Sequence, residues 1–396
     1  VDTVAAEQPE ATRRGKRVGR VRVGVIGGGQ LARMMIPAAI ELGVELRVLA
    51  EAEGMSAAIA ADRVGDYTDA ATVLDFARDV DVITFDHEHV PQDVLHALVD
   101  AGVPVHPGPG PLAVAQDKLL MRERLSELGL PVPDWARVET PAELDEFIAE
   151  HGGAAVVKTP RGGYDGKGVR VVRSAGEVDE WFATVAEDGQ PGALLVEELV
   201  DFRRELAQLV ARRPSGEIVA WPLVETVQVG GVCSEVIAPA PKAAGRIADL
   251  AGDIAFAVAE GLGVTGVLAV ELFETTDGRV LVNELAMRPH NSGHWSMDGS
   301  TTGQFEQHLR AVLDLPLGAT GTHAPWSVMV NILGGPEEGT IADRTPAALA
   351  GHPTVKLHAY GKAPRPGRKV GHVTAVGDDL DDVVYEARAA AAEFQG

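Results

Sequence analysis

Two glutamates, Glu271 and Glu284, each stand inside an apolar run, and Asp277-Gly278 lies between the runs. Val267, Leu268, Val270, Leu272 and Phe273 surround the first acid; Val280, Leu281 and Val282 precede the second. Asp-Gly between apolar runs is a two-residue hairpin signal. With that loop, Glu271 lies directly across from Glu284. Directly opposed side chains sit about 4.5–5.5 Å apart, and like charges there repel. Carboxylates so placed need a cation between them. Mg²⁺ takes carboxylate oxygens and shares them with substrate phosphates, so the pair predicts a metal–nucleotide site. A four-residue loop over 275–278 would make the acids diagonal neighbours on one face. A three-residue loop would put them on opposite faces. The competing reading is a surface hairpin with solvated acids.

The totals narrow the classes. A chain of 396 residues has room for two or three domains and a large core. Its net charge of −23 argues against nonspecific binding to nucleic acid or to acidic membranes. A bound polyanion then needs a local basic patch. Cys233 is the only cysteine, which excludes an intrachain disulfide and a metal–thiolate cluster. It reads as a buried spectator thiol in a reducing cytosol. No apolar run reaches about 18 residues, so no membrane span is expected. Arg13, Arg14, Lys16 and Arg17 come without an apolar stretch, which reads as a disordered leader over 1–20, not a secretory signal.

Along the chain, a strand at 21–26 runs into Gly27-Gly28-Gly29-Gln30-Leu31-Ala32, then a helix to about Leu42 and a strand at 44–50. This βαβ unit, with a further strand at 80–85, predicts a small doubly wound domain over 21–116. A Pro/Gly-rich stretch at 104–111 marks a boundary, and Asp117 is placed to cap a helix over 118–128. Strands then dominate a second domain, 117–318: 154–158, 168–172, 194–200, 206–211, 218–224, 266–273 and 280–284. Helices are expected at 142–150, 178–185, 247–262 and 304–313. A third domain, 319–396, holds a few strands and a helix at 380–394. The fold class is thus mixed α/β and α+β.

Two glycine-rich turns matter. Gly27-x-Gly29-x-x-Ala32 fits the dinucleotide fingerprint, and Glu51 ends the second strand where a ribose-binding acid belongs. An NAD-dependent dehydrogenase is therefore one open reading. The second turn follows Lys158, which ends an apolar strand. Arg161, Lys167 and four glycines then precede Val169. Backbone N–H groups in such a loop cradle phosphates, and Lys158 adds a point charge. No helix with Lys-Ser/Thr follows, so it is not a Walker A loop. Glu197, Glu198, Leu199 and Val200 end another apolar strand, and Glu205 follows. They offer strand edges for an adenine ring and a carboxylate for ribose. Lys362, Arg365, Arg368 and Lys369 form the densest cationic cluster after the leader, broken by Gly361, Pro364, Pro366 and Gly367. A substrate phosphate suits it.

Lys118, Lys158 with its loop, 197–200, Glu205, Glu271 and Asn283-Glu284 occur in an order that resembles the ATP-grasp superfamily. More specifically, Gly28-Gly29-Gln30-Leu31, Phe85-Asp86-His87-Glu88, Tyr164-Asp165-Gly166-Lys167-Gly168, Asn283-Glu284 through His290-Asn291 to His294, and Tyr360-Gly361-Lys362 through Arg368 to His372 resemble the 5-(carboxyamino)imidazole ribonucleotide synthases. The resemblance runs from about Val21 to the end. It implies a pre-ATP-grasp domain, an ATP-grasp fold and a small C-terminal domain. It implies ATP and Mg²⁺ as cofactors, bicarbonate and 5-aminoimidazole ribonucleotide as substrates, and a cytoplasmic homodimer.

By residue, it implies ATP contacts at Lys118, Lys158, Gly163, Tyr164, Asp165, Gly166, Lys167, Gly168, Val169, Glu197, Glu198, Leu199, Val200, Glu205, Asn283 and Glu284. It implies Mg²⁺ on Glu271 and Glu284. Gln228 is a further ATP contact, standing where the family commonly has His but still able to hydrogen-bond, and Val169 stands where a polar residue is frequent. Arg288, His290 and Asn291 fit a bicarbonate site, and a loop around Tyr164 would exclude water. Gln30, Leu31 and Glu88, with Lys362, Arg365, Arg368 and Lys369, would face the ribonucleotide. An ATP-grasp ligase using formate or an amino acid is the nearest alternative.

Overall fold

The computed structural model describes residues 20–162, 168–185 and 192–395. The leader at 1–19, and Gly163, Tyr164, Asp165, Gly166 and Lys167 of the phosphate loop, lie outside the described residues.

The first unit carries strands β1 (Arg22–Ile26), β2 (Glu45–Ala50), β3 (Ala61–Val64) and β4 (Val82–Phe85). They form a parallel sheet in the order β3-β2-β1-β4. Strands β1 and β4 are short and largely apolar because helices cover both faces, whereas edge strand β3 carries Asp62 and Arg63. Helix Gln30–Glu41 packs Met34, Met35 and Ala38 on one face; Phe76, Leu95 and Leu98 fill the other.

Strands β5 (Trp135–Val138), β6 (Ala155–Lys158), β7 (Val169–Val172) and β8 (Leu194–Glu198) form an antiparallel sheet in the order β5-β8-β6-β7. Lys158 ends β6, paired with Val169 on one side and Leu195 on the other.

The largest sheet has nine strands: β9 (Phe202–Arg212), β10 (Ile218–Ala220), β11 (Val224–Val229), β12 (Val232–Ala238), β13 (Gly266–Thr275), β14 (Val280–Ala286), β15 (Trp326–Leu333), β16 (Lys356–Ala359) and β17 (Lys369–Gly377). The strand expected over 218–224 is broken: Pro222 has no N–H to give a ladder, and β10 and β11 separate there. The sheet order runs β14-β13-β9-β11-β12-β15-β17-β16, with β10 beside β9. The expected boundary at 318 therefore does not divide the sheet, because Ile237 on β12 pairs with Val328 on β15.

Helix Arg246–Gly261 packs Ala251, Ile254, Ala255 and Val258 over Leu206, Val210, Leu268 and Val270. That i, i+3, i+4, i+7 spacing is the apolar stripe of a core-facing helix. The opposite face holds Ala207, Leu209, Ala269 and Trp295. Glu271 lies on this second face, two residues beyond Ala269.

Candidate active site

Glu271 pairs directly with Glu284, but by a route the Asp-Gly signal does not give. The turn is a three-residue loop over 276–278, closed by Thr275 N–H on the Arg279 carbonyl (3.0 Å). Gly278 takes the left-handed conformation (φ 84°) that ends such loops. Leu272 accordingly pairs with Val282, a register that would set Glu271 opposite Asn283. A β-bulge at Asn283 then adds one residue and returns Glu284 to Glu271. The two-residue loop is thus corrected, while the opposition of the acids stands. Bulges re-aim side chains next to active sites. Here adjacent Asn283 and Glu284 are both half-exposed in a strand otherwise buried.

Glu271 keeps 27% of its side chain exposed. Burial, then the carboxylates of Glu284 and Glu205, push its carboxyl above the usual range. Glu205 itself is raised by burial. Lys118 Nζ lies 3.6 Å from Glu284 Oε1 and relieves part of this crowding. Among the described residues no cluster of three or more His, Cys, Asp or Glu could enclose a metal. The opposed carboxylates of Glu271 and Glu284 are the donor type that Mg²⁺ takes one or two of, filling the rest of its shell from water and phosphates.

Lys158 Nζ donates to Asn283 Oδ1 (3.1 Å) and pairs with Glu197 Oε2 (2.7 Å). Arg122 holds the other Glu197 oxygen and donates from Nη2 to the Asn283 carbonyl (2.6 Å). Burial works against the charge on Glu197, but Arg122 and Lys158 outweigh it and lower its pKa. This refines the adenine reading. The main chain of Glu197 is paired with Trp135 and Val156, and its carboxylate is a buried anchor for two cations. Glu198 is partly used as well: its N–H donates to the Asp134 carbonyl and its Oε1 accepts the Asp134 N–H. Leu199 is exposed and Val200 half-buried where β8 has ended. Gln228 is half-buried just before the Gly230-Gly231 turn, and Val169 is exposed. Arg122 is absent from the motif reading. It lies on helix Lys118–Glu127, on the buried stripe of Lys118, Met121 and Leu125, a spacing that could have marked it as facing the core.

Beyond β14, His290 Nε2 lies 3.6 Å from Glu271 Oε1, and His290 Nδ1 is 2.9 Å from Ser292 Oγ. Burial, then Arg288 and Lys369, push the His290 pKa well down, so the ring is neutral. Asn291 is half-buried beside the Cys233 thiol, which its side chain hydrogen-bonds. The two groups proposed for metal and for oxyanion are thus in contact.

Glu88 comes from the first unit, yet its Oε1 accepts the Met287 N–H (2.7 Å) and its Oε2 pairs with Arg288 Nε (3.2 Å). Gln30 Oε1 accepts from Lys362 Nζ, joining motifs from opposite ends of the chain. Leu31 is 5% exposed, its side chain packed in the first unit's core, so a substrate contact there would be through its main chain. Arg365 is exposed, and Lys362 and Arg368 are half-buried on a loop tied to Gly334 by Arg365 N–H (2.9 Å); half-buried Lys369 opens β17 just after it.

The dinucleotide reading fails on the same geometry. Gly28 N–H donates to Glu51 Oε2 (2.8 Å), Gly29 N–H to Asp86 Oδ2 (2.9 Å) and Ala32 N–H to Asp86 Oδ1 (2.7 Å). The protein's own carboxylates occupy the helix N-terminus that a pyrophosphate needs. Glu51 is also engaged by His87 (3.3 Å), not free for a ribose.

Three family models match in sequence: a ribonucleotide synthetase preATP-grasp domain over 21–116, an ATP-grasp domain over 123–305 and a phosphoribosylaminoimidazole carboxylase C-terminal domain over 327–386. The chain is 51% identical over 373 residues to the N5-carboxyaminoimidazole ribonucleotide synthase of Mycobacterium tuberculosis H37Rv, covering 93% of this chain and 86% of that protein. A crystal structure of an N5-carboxyaminoimidazole ribonucleotide synthetase in complex with ADP superposes with a TM-score of 0.84 at 35% identity, covering 95% of this chain and 98% of that one. The Aspergillus clavatus synthase, solved with ADP and 5-aminoimidazole ribonucleotide, gives 0.82 at 30% identity over 94% and 98% of the two chains. By its three matched domains and its similarity over nearly the whole length, this chain belongs to the N5-carboxyaminoimidazole ribonucleotide synthase family of ATP-grasp ligases.

Proposed function

We propose that this chain carboxylates the 5-amino group of 5-aminoimidazole ribonucleotide, using ATP and bicarbonate through carboxyphosphate. The observation that carries the reading is the bulge at Asn283. It sets Asn283 against Lys158 and Glu284 against Glu271, with His290 touching the same acid.

The chemistry needs positioning and charge neutralisation more than covalent help. Bicarbonate oxygen attacks the γ-phosphorus, the bond from that phosphorus to the bridging oxygen breaks, and ADP leaves. The amine then attacks the carboxyl carbon, the C–O bond to phosphate breaks, and phosphate leaves as the amine loses a proton. Lys158 and Lys118 would neutralise ATP phosphates, and Asn283 Nδ2 would donate to the γ-phosphate. Mg²⁺, held by Glu271 and Glu284, would supply further charge neutralisation. Arg288 offers a planar guanidinium to a planar oxyanion, and the Asn291 amide would add a neutral donor beside it. Neutral His290 adds hydrogen bonding with no competing charge. The loop from Gly163 to Val169 would cover the phosphates and exclude water. Lys362, Arg365, Arg368 and Lys369 would take the substrate phosphate. Glu88 would act through Arg288, whose guanidinium it holds. The homodimer rests on family resemblance, and sedimentation equilibrium tests it; a cytoplasmic location rests on the lone Cys233, which has no second cysteine in the chain to pair with.

A coupled assay of ADP release tests the reaction. Release should require 5-aminoimidazole ribonucleotide and bicarbonate together. Turnover supported by formate or an amino acid instead would favour the other ligase reading.

A further inference from the structure

Gln304 opens helix Gln304–Val312 and is fully buried, although no motif includes it. Its Oε1 accepts the His290 N–H (2.9 Å), and its Nε2 donates to the His290 carbonyl (2.9 Å). The same Nε2 lies 2.7 Å from His294 Nδ1. A primary amide has two N–H donors and one acceptor oxygen. Turned over, its nitrogen would face the His290 N–H and its oxygen the His290 carbonyl, so one orientation satisfies every contact. His294 Nδ1 must then accept. Burial pushes His294 down to about 3, keeping the ring neutral and that lone pair available.

The clamp is held in turn. The Gln304 N–H donates to Ser296 Oγ (2.9 Å), and Ser296 Oγ donates to the Gly293 carbonyl (2.6 Å). A Cβ on Gly293 would collide with Leu209 and with Gln304 Oε1. The segment after β14 has left the sheet, so its main chain has no ladder to fix it. Gln304 provides for His290 the two bonds that a neighbouring strand would.

We propose that Gln304 is a positioning residue for the oxyanion segment: by holding both main-chain groups of His290 it sets where Arg288, His290 and Asn291 meet bicarbonate and carboxyphosphate, without touching either. This rests on the assignment of that segment to bicarbonate above. Orientation governs such steps steeply, since a misplacement of about 1 Å costs on the order of 10²-fold in rate.

Gln304→Met keeps the length and removes the acceptor and both donors. Its KM for bicarbonate should rise at least about tenfold. ADP release should exceed carboxylated product, because loosely held carboxyphosphate is lost to water. ATP affinity, measured by equilibrium dialysis without bicarbonate, should stay within about twofold, since no ATP contact changes. Equal losses of ATP affinity and turnover, with ADP and product still matched, would overturn the proposal in favour of a general folding defect. If Gln304→Met does not fold, Gln304→Glu keeps an acceptor for the His290 N–H, and an unmoved bicarbonate KM there overturns the proposal equally. Wild-type ADP release that ignores bicarbonate sinks the functional reading and the positioning role with it. Bicarbonate dependence in the wild type with no change in the variant sinks the positioning role alone.

Discussion

Glu271 is pressed by two other carboxylates, Glu284 and Glu205, within a site that burial has already made costly for charge. Without metal, Glu271→Gln should therefore raise stability, by about 1 kcal/mol on the scale of opposed like charges. Millimolar Mg²⁺ should raise the wild-type melting temperature and leave the variant's nearly unmoved. Equal shifts in both proteins would remove Glu271 from the metal site. Arg122 behaves oppositely. Arg122→Met would strip a buried partner from Glu197 and from the Asn283 carbonyl, at a cost of about 3–5 kcal/mol for breaking a buried pair. Urea unfolding measures it, and a loss under about 1 kcal/mol would mean that Lys158 alone suffices for Glu197. These two residues also mark what can be read at this scale. An acid inside an apolar strand announces itself, as Glu271 and Glu284 do. Arg122 and Gln304 sit on helices where polar residues are ordinary, and only the packing shows what each holds: Glu197 and the Asn283 carbonyl for the one, His290 and His294 for the other.

At the scale of the element, the hairpin from Gly266 to Ala286 carries two departures from a regular ladder that cancel. The three-residue loop moves the register by one, and the bulge at Asn283 moves it back. Asp277-Gly278 signals a turn correctly but does not set its length, because Thr275 closes the loop through its own N–H and hydroxyl. The sign of the bulge was present in the sequence: Asn283 and Glu284 are adjacent polar residues in a strand whose other members are apolar, and one face cannot take both without an extra residue. Deleting Asn283 should leave a regular ladder with Glu284 still opposite Glu271. It would remove Oδ1 from Lys158 and the carbonyl from Arg122. The deletion protein should thus keep its Mg²⁺-dependent gain in melting temperature while its ATP affinity falls at least about tenfold, the size of one lost hydrogen bond to a charged group. Loss of both responses, with circular dichroism unchanged, would mean that the acids depend on the bulge for their opposition.

Across the whole molecule, distant motifs meet through single side chains: Glu88 with Arg288, Gln30 with Lys362, and His358 Nε2 with Asp298 Oδ2 at 2.8 Å. The sequence shows three units and their order, and marks Glu88, Arg288, Gln30 and Lys362 as site residues, but not which of them pair, because pairing between units leaves no local pattern. His308 makes another such junction. Its Nδ1 accepts the Val267 N–H (3.1 Å), so its Nε2–H donates to Thr84 Oγ1 (2.7 Å), tying β4 of the first unit to β13. Gly266 beside it adopts φ 105°, and a Cβ there would meet His308 Cε1 at 2.8 Å. Burial, then the nearby His106, push the His308 pKa down to about 3. A proton on Nδ1 would break the bond to Val267. Between about pH 6.5 and 3 the unfolded chain therefore binds this proton and the native protein does not, so stability is full above that window and falls as pH falls through it. One such group accounts for about 1.4 kcal/mol of loss between pH 7.5 and 5.5. His294, held down to about 3 as well, adds a slope of its own, so the comparison must be made against a variant. His308→Gln keeps hydrogen-bonding capacity and removes the titration. Urea unfolding at pH 7.5 and 5.5 should show the variant losing about 1.4 kcal/mol less than the wild type over that interval. If both lose the same amount, His308 titrates normally in the native protein, and the junction between Thr84 and Val267 is open to water.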